Sequence, residues 1–418
     1  MGPAMQACGL DFGTSNSAVA LPSGEILEID AQAAERRLFR SILFFPDEER
    51  EVYSGEGAIA RYLDDNAGRL IQSVKTWLPS ASFRATQIRG AAFKLEDLIG
   101  LLLRRIREAA SRRAGHPLTS VVLGRPASFS ADPKIDAFAQ SRLLVAAQSA
   151  GFESVRFVIE PIAAALAYEA TLDREELVLV ADFGAGTSDL TLMWLGPSRR
   201  GNPDRRADVI GSAGVYVGGD KFDAAIMRHK LLRFFGAGSS YRLQSRRLDI
   251  PQHIQGKLLS WHEMSFIRER STQELIAQML ETSDDLPAIA ALHDLVMYNL
   301  GYRLFRAIEA AKVRLSTLPS TTIDFEEERI CIHEPITRDE FDRFSRPLIE
   351  ALDGCAQALL SAHAEAGRID AVFMTGGSSQ IPAVRDLFVR RFGVERLRTA
   401  EAFTSVAEGL GRAAAAGL

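Results

Sequence analysis

Gly9-Leu10-Asp11-Phe12-Gly13-Thr14-Ser15-Asn16-Ser17 and Val180-Ala181-Asp182-Phe183-Gly184-Ala185-Gly186-Thr187-Ser188-Asp189 say nearly the same thing. Each runs from apolar residues to an Asp, through a turn of Gly, Thr and Ser, and back into apolar residues. The first continues as Ala18-Val19-Ala20-Leu21 and the second as Leu190-Thr191-Leu192-Met193. An apolar run, a tight turn and a second apolar run form a β-hairpin signature. Glycines in the turn let the backbone approach a ligand, and successive N–H groups can make an anion-binding nest. An Asp at the end of the incoming strand suits a hydrated cation beside a phosphate. Either copy alone reads as a glycine-rich turn. The pair, with both Asp residues in register, predicts duplicated lobes gripping one polyphosphate from two sides.

Asp-Phe-Gly, which occurs in both copies, also marks protein kinases. No Gly-rich loop of the kinase pattern and no His-Arg-Asp loop accompanies it, so that reading is rejected. The chain's 418 residues suffice for two or more core-bearing units. Its net charge of −5 argues against general nucleic-acid affinity. Cys8, Cys331 and Cys355 are scattered and odd in number, with neither a metal-ligand spacing nor a disulfide framework, which points to a reducing cytoplasm. The sequence shows no signal peptide and no apolar run of membrane-spanning length. The expected partners therefore include neither a membrane nor nucleic acid.

Strands are expected at 8–13, 16–21 and 25–29, with a turn at Ser23-Gly24. Leu98, Leu101, Leu102, Ile106 and Ala109 give a helical spacing over 95–113. Val121 to Gly124 and Val155 to Ile159 read as strands, and 134–150 as a helix that Gly151 stops. Glu160-Pro161 opens an Ala-rich helix through Glu169. Residues 197–206 hold four arginines and read as a solvated polar loop. Residues 251–316 are helical in composition. Ala371 to Thr375 reads as a buried strand running into Gly376-Gly377 and a helix from Pro382.

These parts together resemble the nucleotide-binding domain of the seventy-kilodalton heat-shock chaperones (DnaK-like), within the actin-like ATPase superfamily. Asp11 to Ser17 resembles the first phosphate motif and Asp182 to Asp189 the second. Ile159-Glu160-Pro161-Ile162-Ala163-Ala164-Ala165-Leu166-Ala167-Tyr168 is similar to the connecting motif. Gly218-Gly219-Asp220-Lys221-Phe222-Asp223, Ile336 to Phe341 and Gly376-Gly377-Ser378-Ser379-Gln380-Ile381-Pro382 follow in family order. The resemblance implies an α/β, two-lobed actin-like ATPase fold of duplicated ribonuclease-H-like lobes. Residues 1–171 would form the first lobe, with 399–418 packing back on it. Residues 172–398 would form the second, with a helical insertion at about 236–308.

The resemblance also assigns roles. Gly13, Thr14, Ser15 and Asn16, with Gly184, Ala185, Gly186 and Thr187, would cradle the phosphates of ATP or ADP. Asp11, Asp182 and Asp189 would hold Mg²⁺ through water. Lys75 and Glu160 would orient the attacking water, making Asp11, Lys75, Glu160, Asp182 and Thr187 the catalytic set. Gly218, Gly219 and Asp220 form a contacting turn. Glu309 and Lys312 would reach the ribose. Ser316 would contact the adenine, with Val313 and Gly376, Gly377, Ser378 and Gln380 beside it. Without the resemblance, Lys75 reads as a surface lysine and Glu160 as a helix-start carboxylate favoured by the helix dipole.

The departures matter as well. Val313 and Gln380 stand where the family stacks two arginines on the adenine. Ala185 replaces a glycine in the second turn, and Ile159 replaces the asparagine ahead of Glu-Pro. The chain ends where the family's linker and peptide-binding domain would begin, and the stretch between Gly219 and Glu309 is longer than usual. That pattern is similar to short bacterial YegD-like members. The expected function is a slow, Mg²⁺-dependent ATPase switch that couples nucleotide state to lobe closure, with a protein partner docking on 236–308. A sugar kinase or exopolyphosphatase of the same superfamily, and a nucleotide-dependent scaffold or filament protein, remain the alternatives. His262-Glu263 lacks the second His of a zincin. His116, His229, His253, His293, His333 and His363 show no ligand spacing and read as structural or surface residues.

Overall fold

A computed structural model describes residues 6–65, 67–130, 132–200, 202, 205–244, 246–260, 264, 267, 269–399 and 404–415. Trp261 and the His262-Glu263 pair lie outside the described residues, as do 400–403 and 416–418. The chain divides into two units. The first holds Met1–Gly218, Ala351–Gln380 and Val384–Leu418, and the second Gly219–Glu350 and Ile381–Ala383.

The first unit contains two five-stranded sheets whose strand order is the same. In one, Ala7–Phe12 pairs antiparallel with Asn16–Ala20 on one side and parallel with Ser120–Arg125 on the other. Ser154–Ile159 extends the parallel side and Phe39–Arg40 the antiparallel side. In the other, Glu176–Phe183 pairs antiparallel with Ser188–Leu195 and parallel with Ala371–Thr375. Leu397–Thr399 and Val209–Val215 close the two edges. The internal repeat in sequence is thus a repeat in topology. The central strands Leu177 to Ala181 and Leu10 are fully buried, as expected for sheets covered on both faces.

The helix Glu160–Glu169 follows the edge strand of the first sheet with Pro161 in its first turn. The helix Ser405–Ala415 packs along it and against the strands Ala7–Phe12 and Ser120–Arg125. Glycines make that approach possible: a Cβ at Gly409 would fall into the backbone of Ala163, and one at Gly9 into that of Gly411. The helices Leu95–Ala114 and Pro133–Ser149 match their sequence periodicity. Gly151, at φ +96°, follows the second of them in the left-handed region.

Three expectations need correction. Residues 25–29 make only a bridge from Ile26 to Ala20, so the strand beside Asn16–Ala20 is Phe39–Arg40. The stretch 236–308 opens with the hairpin Ser240–Leu243/Arg246–Asp249 before the helices Gln252–Leu258, Arg270–Thr282 and Leu286–Met297. The loop 197–206 is not a solvated arginine run. Arg205 is 6% exposed and joins Glu169 at 2.8 Å to Asp208 at 2.6 Å. Arg199 pairs with Glu175 and Asp208, and Arg200 donates to the Glu169 carbonyl. The carboxylates that pair with Arg199 and Arg205 are Glu169, Glu175 and Asp208, outside the window that made the loop read as exposed.

The second unit contains the helix Gly301–Leu315 packed on the hairpin Ser320–Glu327/Ile330–Thr337. That hairpin leads directly into the helix Arg338–Ala362. Among the described residues, no helix is long and apolar enough to cross a membrane.

Candidate active site

Each Asp-bearing strand delivers its carboxylate at the mouth of a tight turn. Asp11 stands opposite Ala18, and Asp182 opposite Asp189, in the two hairpin registers. In the first turn, a Cβ at Gly13 would strike the Asn16 carbonyl, so only glycine allows the chain to reverse there. Ser41 braces this turn, donating from its hydroxyl to the Gly13 carbonyl at 2.8 Å and from its backbone N–H to the Ser15 carbonyl. In the second turn, the Gly184 N–H donates to the Thr187 carbonyl at 2.9 Å, and the Thr187 hydroxyl to Asp189 at 3.2 Å.

Both glycine pairs of the sequence reach this second turn through one member. A Cβ at Gly218 would fall into the backbone of Ala185, and Gly376, at φ +82°, leaves no room for one against the Phe183 carbonyl. The Ser188 hydroxyl donates to the Val217 carbonyl, and the Ser378 hydroxyl to the Gly184 carbonyl at 3.4 Å. Gly377–Gln380 forms one turn of 3-10 helix, with the Gln380 amide donating to the Ser379 hydroxyl. Ala185, despite its Cβ, is accommodated in the turn.

Lys75 lies in the short 3-10 turn Val74–Trp77 and donates to Glu160 at 2.6 Å, the two side chains being 10% and 12% exposed. The turn is entered through Ser73 at φ +50°, a left-handed conformation that costs a non-glycine residue on the order of 1 kcal/mol. The Ser73 carbonyl accepts from the Thr76 hydroxyl, while its own buried hydroxyl has no partner. Glu160 heads its helix from the edge of the first sheet, where Gly124 of the neighbouring strand leaves it space.

Electrostatics bind these residues into one cluster. Burial, with Glu160 adding repulsion and Lys75 opposing it, raises the Asp11 carboxyl to about 7. Asp182 is pushed well above the ordinary carboxylate range by burial, then by Glu160, Asp189 and Asp11. Asp189 rises to about 6, mainly through burial and Glu160. Burial lowers the pKa of Lys75, but Glu160, Asp11 and Asp182 outweigh it and the ammonium is stabilised. Four carboxylates thus share one lysine. Such a group lacks positive charge, and its donors are all hard oxygens, the set that suits Mg²⁺.

The second unit holds the remaining sequence-derived residues. Lys312 donates to Asp223 at 2.8 Å and to the Gly219 carbonyl at 3.3 Å. Glu309 pairs with Arg306 on its own helix. Val313 is 60% exposed, Ser316 closes the helix, and Gly219 and Asp220 open the helix Gly219–Ile226. Sequence reasoning missed Ser41, Ser73 and Asp223 as supporting residues. Asp223 had a signal, three residues beyond Asp220 in a helical stretch, whereas Ser41 and Ser73 had none, because their roles arise from turns.

Comparison with known proteins places the chain in a family. The family model described as Hsp70 protein matches residues 80–247 and 294–417. Two curated relatives, both named Chaperone protein DnaK and both from strains of Thermus thermophilus, are 26% identical over 97% of this chain. The chain spans 60% of the length of each. It belongs to the Hsp70 family, and with it to the actin-like ATPase fold that the resemblance implied.

Proposed function

We propose that this chain binds ATP and ADP with Mg²⁺ and hydrolyses ATP slowly, as a chaperone-like switch of the cytoplasm. One observation carries the reading: Asp11, Asp182, Asp189 and Glu160 are gathered with a single lysine between two backbone turns suited to phosphate. Asp11, Asp182 and Asp189 would hold Mg²⁺ through its water shell, and the bound ion would neutralise phosphate charge. The N–H groups of Gly13 to Asn16 and of Gly184 to Thr187 bind and orient the phosphate oxygens. Lys75 and Glu160, held together, position the attacking water. Among the described residues, the charged groups that act on Asp11 and Asp182 are these carboxylates and the lysine, a set built for positioning rather than for strong acid–base catalysis, which fits slow turnover.

In the same reading, residues 1–171 with 399–418, and 172–398, are the lobes defined by the internal repeat. Glu309, Lys312 and Ser316 serve the nucleoside. The relatives' name carries a chaperone role, and for this chain a protein partner is assigned to 236–308. Trimming that stretch should weaken partner capture in pull-downs.

The deciding experiment measures phosphate release from ATP, GTP and polyphosphate, with and without Mg²⁺. Slow Mg²⁺-dependent release from ATP is expected, abolished by Asp11→Asn and by Asp182→Asn. Unchanged activity in both variants would sink the assignment, and preference for polyphosphate would move the chain to the exopolyphosphatase reading.

A further inference from the structure

The hairpin Ser320–Glu327/Ile330–Thr337 has one buried and one exposed face. Ile323, Phe325, Ile330, Ile332 and Ile336 point inward. On the outer face the register sets Asp324 opposite His333 and Glu326 opposite Cys331. All four side chains are exposed. The potential donor atoms of Glu326, Cys331 and His333 lie within 4.8 Å of one another.

We propose that this face is a binding site for a divalent transition-metal cation of the Zn²⁺ class, with Cys331, His333 and Glu326 as ligands. The donor set is a thiol, an imidazole and a carboxylate, a combination that Zn²⁺ prefers and Mg²⁺ does not. A tetrahedral zinc site needs ligand atoms roughly 3.5 Å apart, so modest rotation of exposed side chains is enough. The imidazole is already oriented. Its Nδ1 faces the Asp324 carboxylate at 2.9 Å, and its Nε2 lies 2.8 Å from Glu326. A carboxylate on the far ring nitrogen is the arrangement that fixes a metal-binding histidine. In sequence, Cys331 and His333 are merely two residues apart. The strand puts them on one face, and the partner strand brings the carboxylates across. A bound cation would tie the two strands together and leave a fourth position for water.

The test uses the whole purified chain, stripped of metal and kept reduced, with Co²⁺ as the spectroscopic probe. One equivalent of Co²⁺ should produce a near-ultraviolet thiolate-to-metal charge-transfer band that Zn²⁺ removes and excess Mg²⁺ does not. The band should vanish in Cys331→Ser and persist in Cys355→Ser. Affinity should fall strongly in His333→Gln and about tenfold in Asp324→Asn, as for loss of an orienting partner. Absence of the band, its survival in Cys331→Ser, its loss in Cys355→Ser, or unchanged affinity in His333→Gln overturns the proposal. No nucleotide enters the measurement, so its outcome is independent of the ATPase reading.

Discussion

At the scale of single residues, Glu160 concentrates the tension in the candidate site. It is the ion-pair partner of Lys75 and also raises the pKa of Asp11, Asp182 and Asp189. Replacing it with Gln removes the charge that raises all three Asp carboxyls, and Lys75 keeps Asp11 and Asp182 as neighbours. Glu160→Gln should therefore stabilise the nucleotide-free chain by on the order of 1 kcal/mol while sharply lowering ATP turnover. Thermal unfolding and phosphate release on the same preparation check this, and a Tm that falls with the substitution contradicts it. Lys75→Met acts in the opposite sense, because it leaves the carboxylates uncompensated.

At the scale of elements, close packing of the helix Ser405–Ala415 on the helix Glu160–Glu169 places Glu160. Gly409 lies where even a methyl group would enter the Ala163 backbone, and backbone cannot rotate away as a long side chain can. Gly409→Ala should destabilise the first unit by about 3 kcal/mol and reduce turnover through a displaced Glu160. Calorimetry together with the turnover assay measures both, and near-wild-type values in each would show that the helices can separate at little cost. The hairpins illustrate a different rule. Their apolar runs and turns could be read around Asp11 and Asp182, yet the strand beside Asn16–Ala20 is Phe39–Arg40, supplied after a long excursion.

For the molecule as a whole, the proposed nucleotide binding would be linked to stability. A ligand that binds only the folded chain stabilises it by about 2.7 kcal/mol at a hundredfold excess over Kd. ATP with Mg²⁺ should accordingly raise the Tm, and Asp182→Asn should remove the Mg²⁺-dependent part of that rise. A thermal-shift series with ATP, Mg²⁺ and both together measures it. Equal shifts in the wild type and the variant would mean that the carboxylate cluster does not hold the ion. The stretch 236–308, with its own hairpin and, among the described residues, the helices Gln252–Leu258, Arg270–Thr282 and Leu286–Met297 ahead of Gly301–Leu315, belongs to the second unit.

The amino-acid sequence determined the strands and turns that carry Asp11 and Asp182, the helix behind Glu160, and the family. Those features depend on short-range periodicity, on glycines that turns require, and on motif order, all of which are local properties. Tertiary structure decided what local spacing cannot express. It gave the two sheets the same strand order around their Asp-bearing strands. It brought Lys75 to Glu160 across 85 positions and paired Arg199 and Arg205 of the 197–206 loop with Glu169, Glu175 and Asp208. It also turned a scattered cysteine and a histidine without ligand spacing into neighbours of Asp324 and Glu326. The physical reason is common to all of these: charge compensation and metal chelation act through space over a few ångströms, and only the folded chain sets those distances.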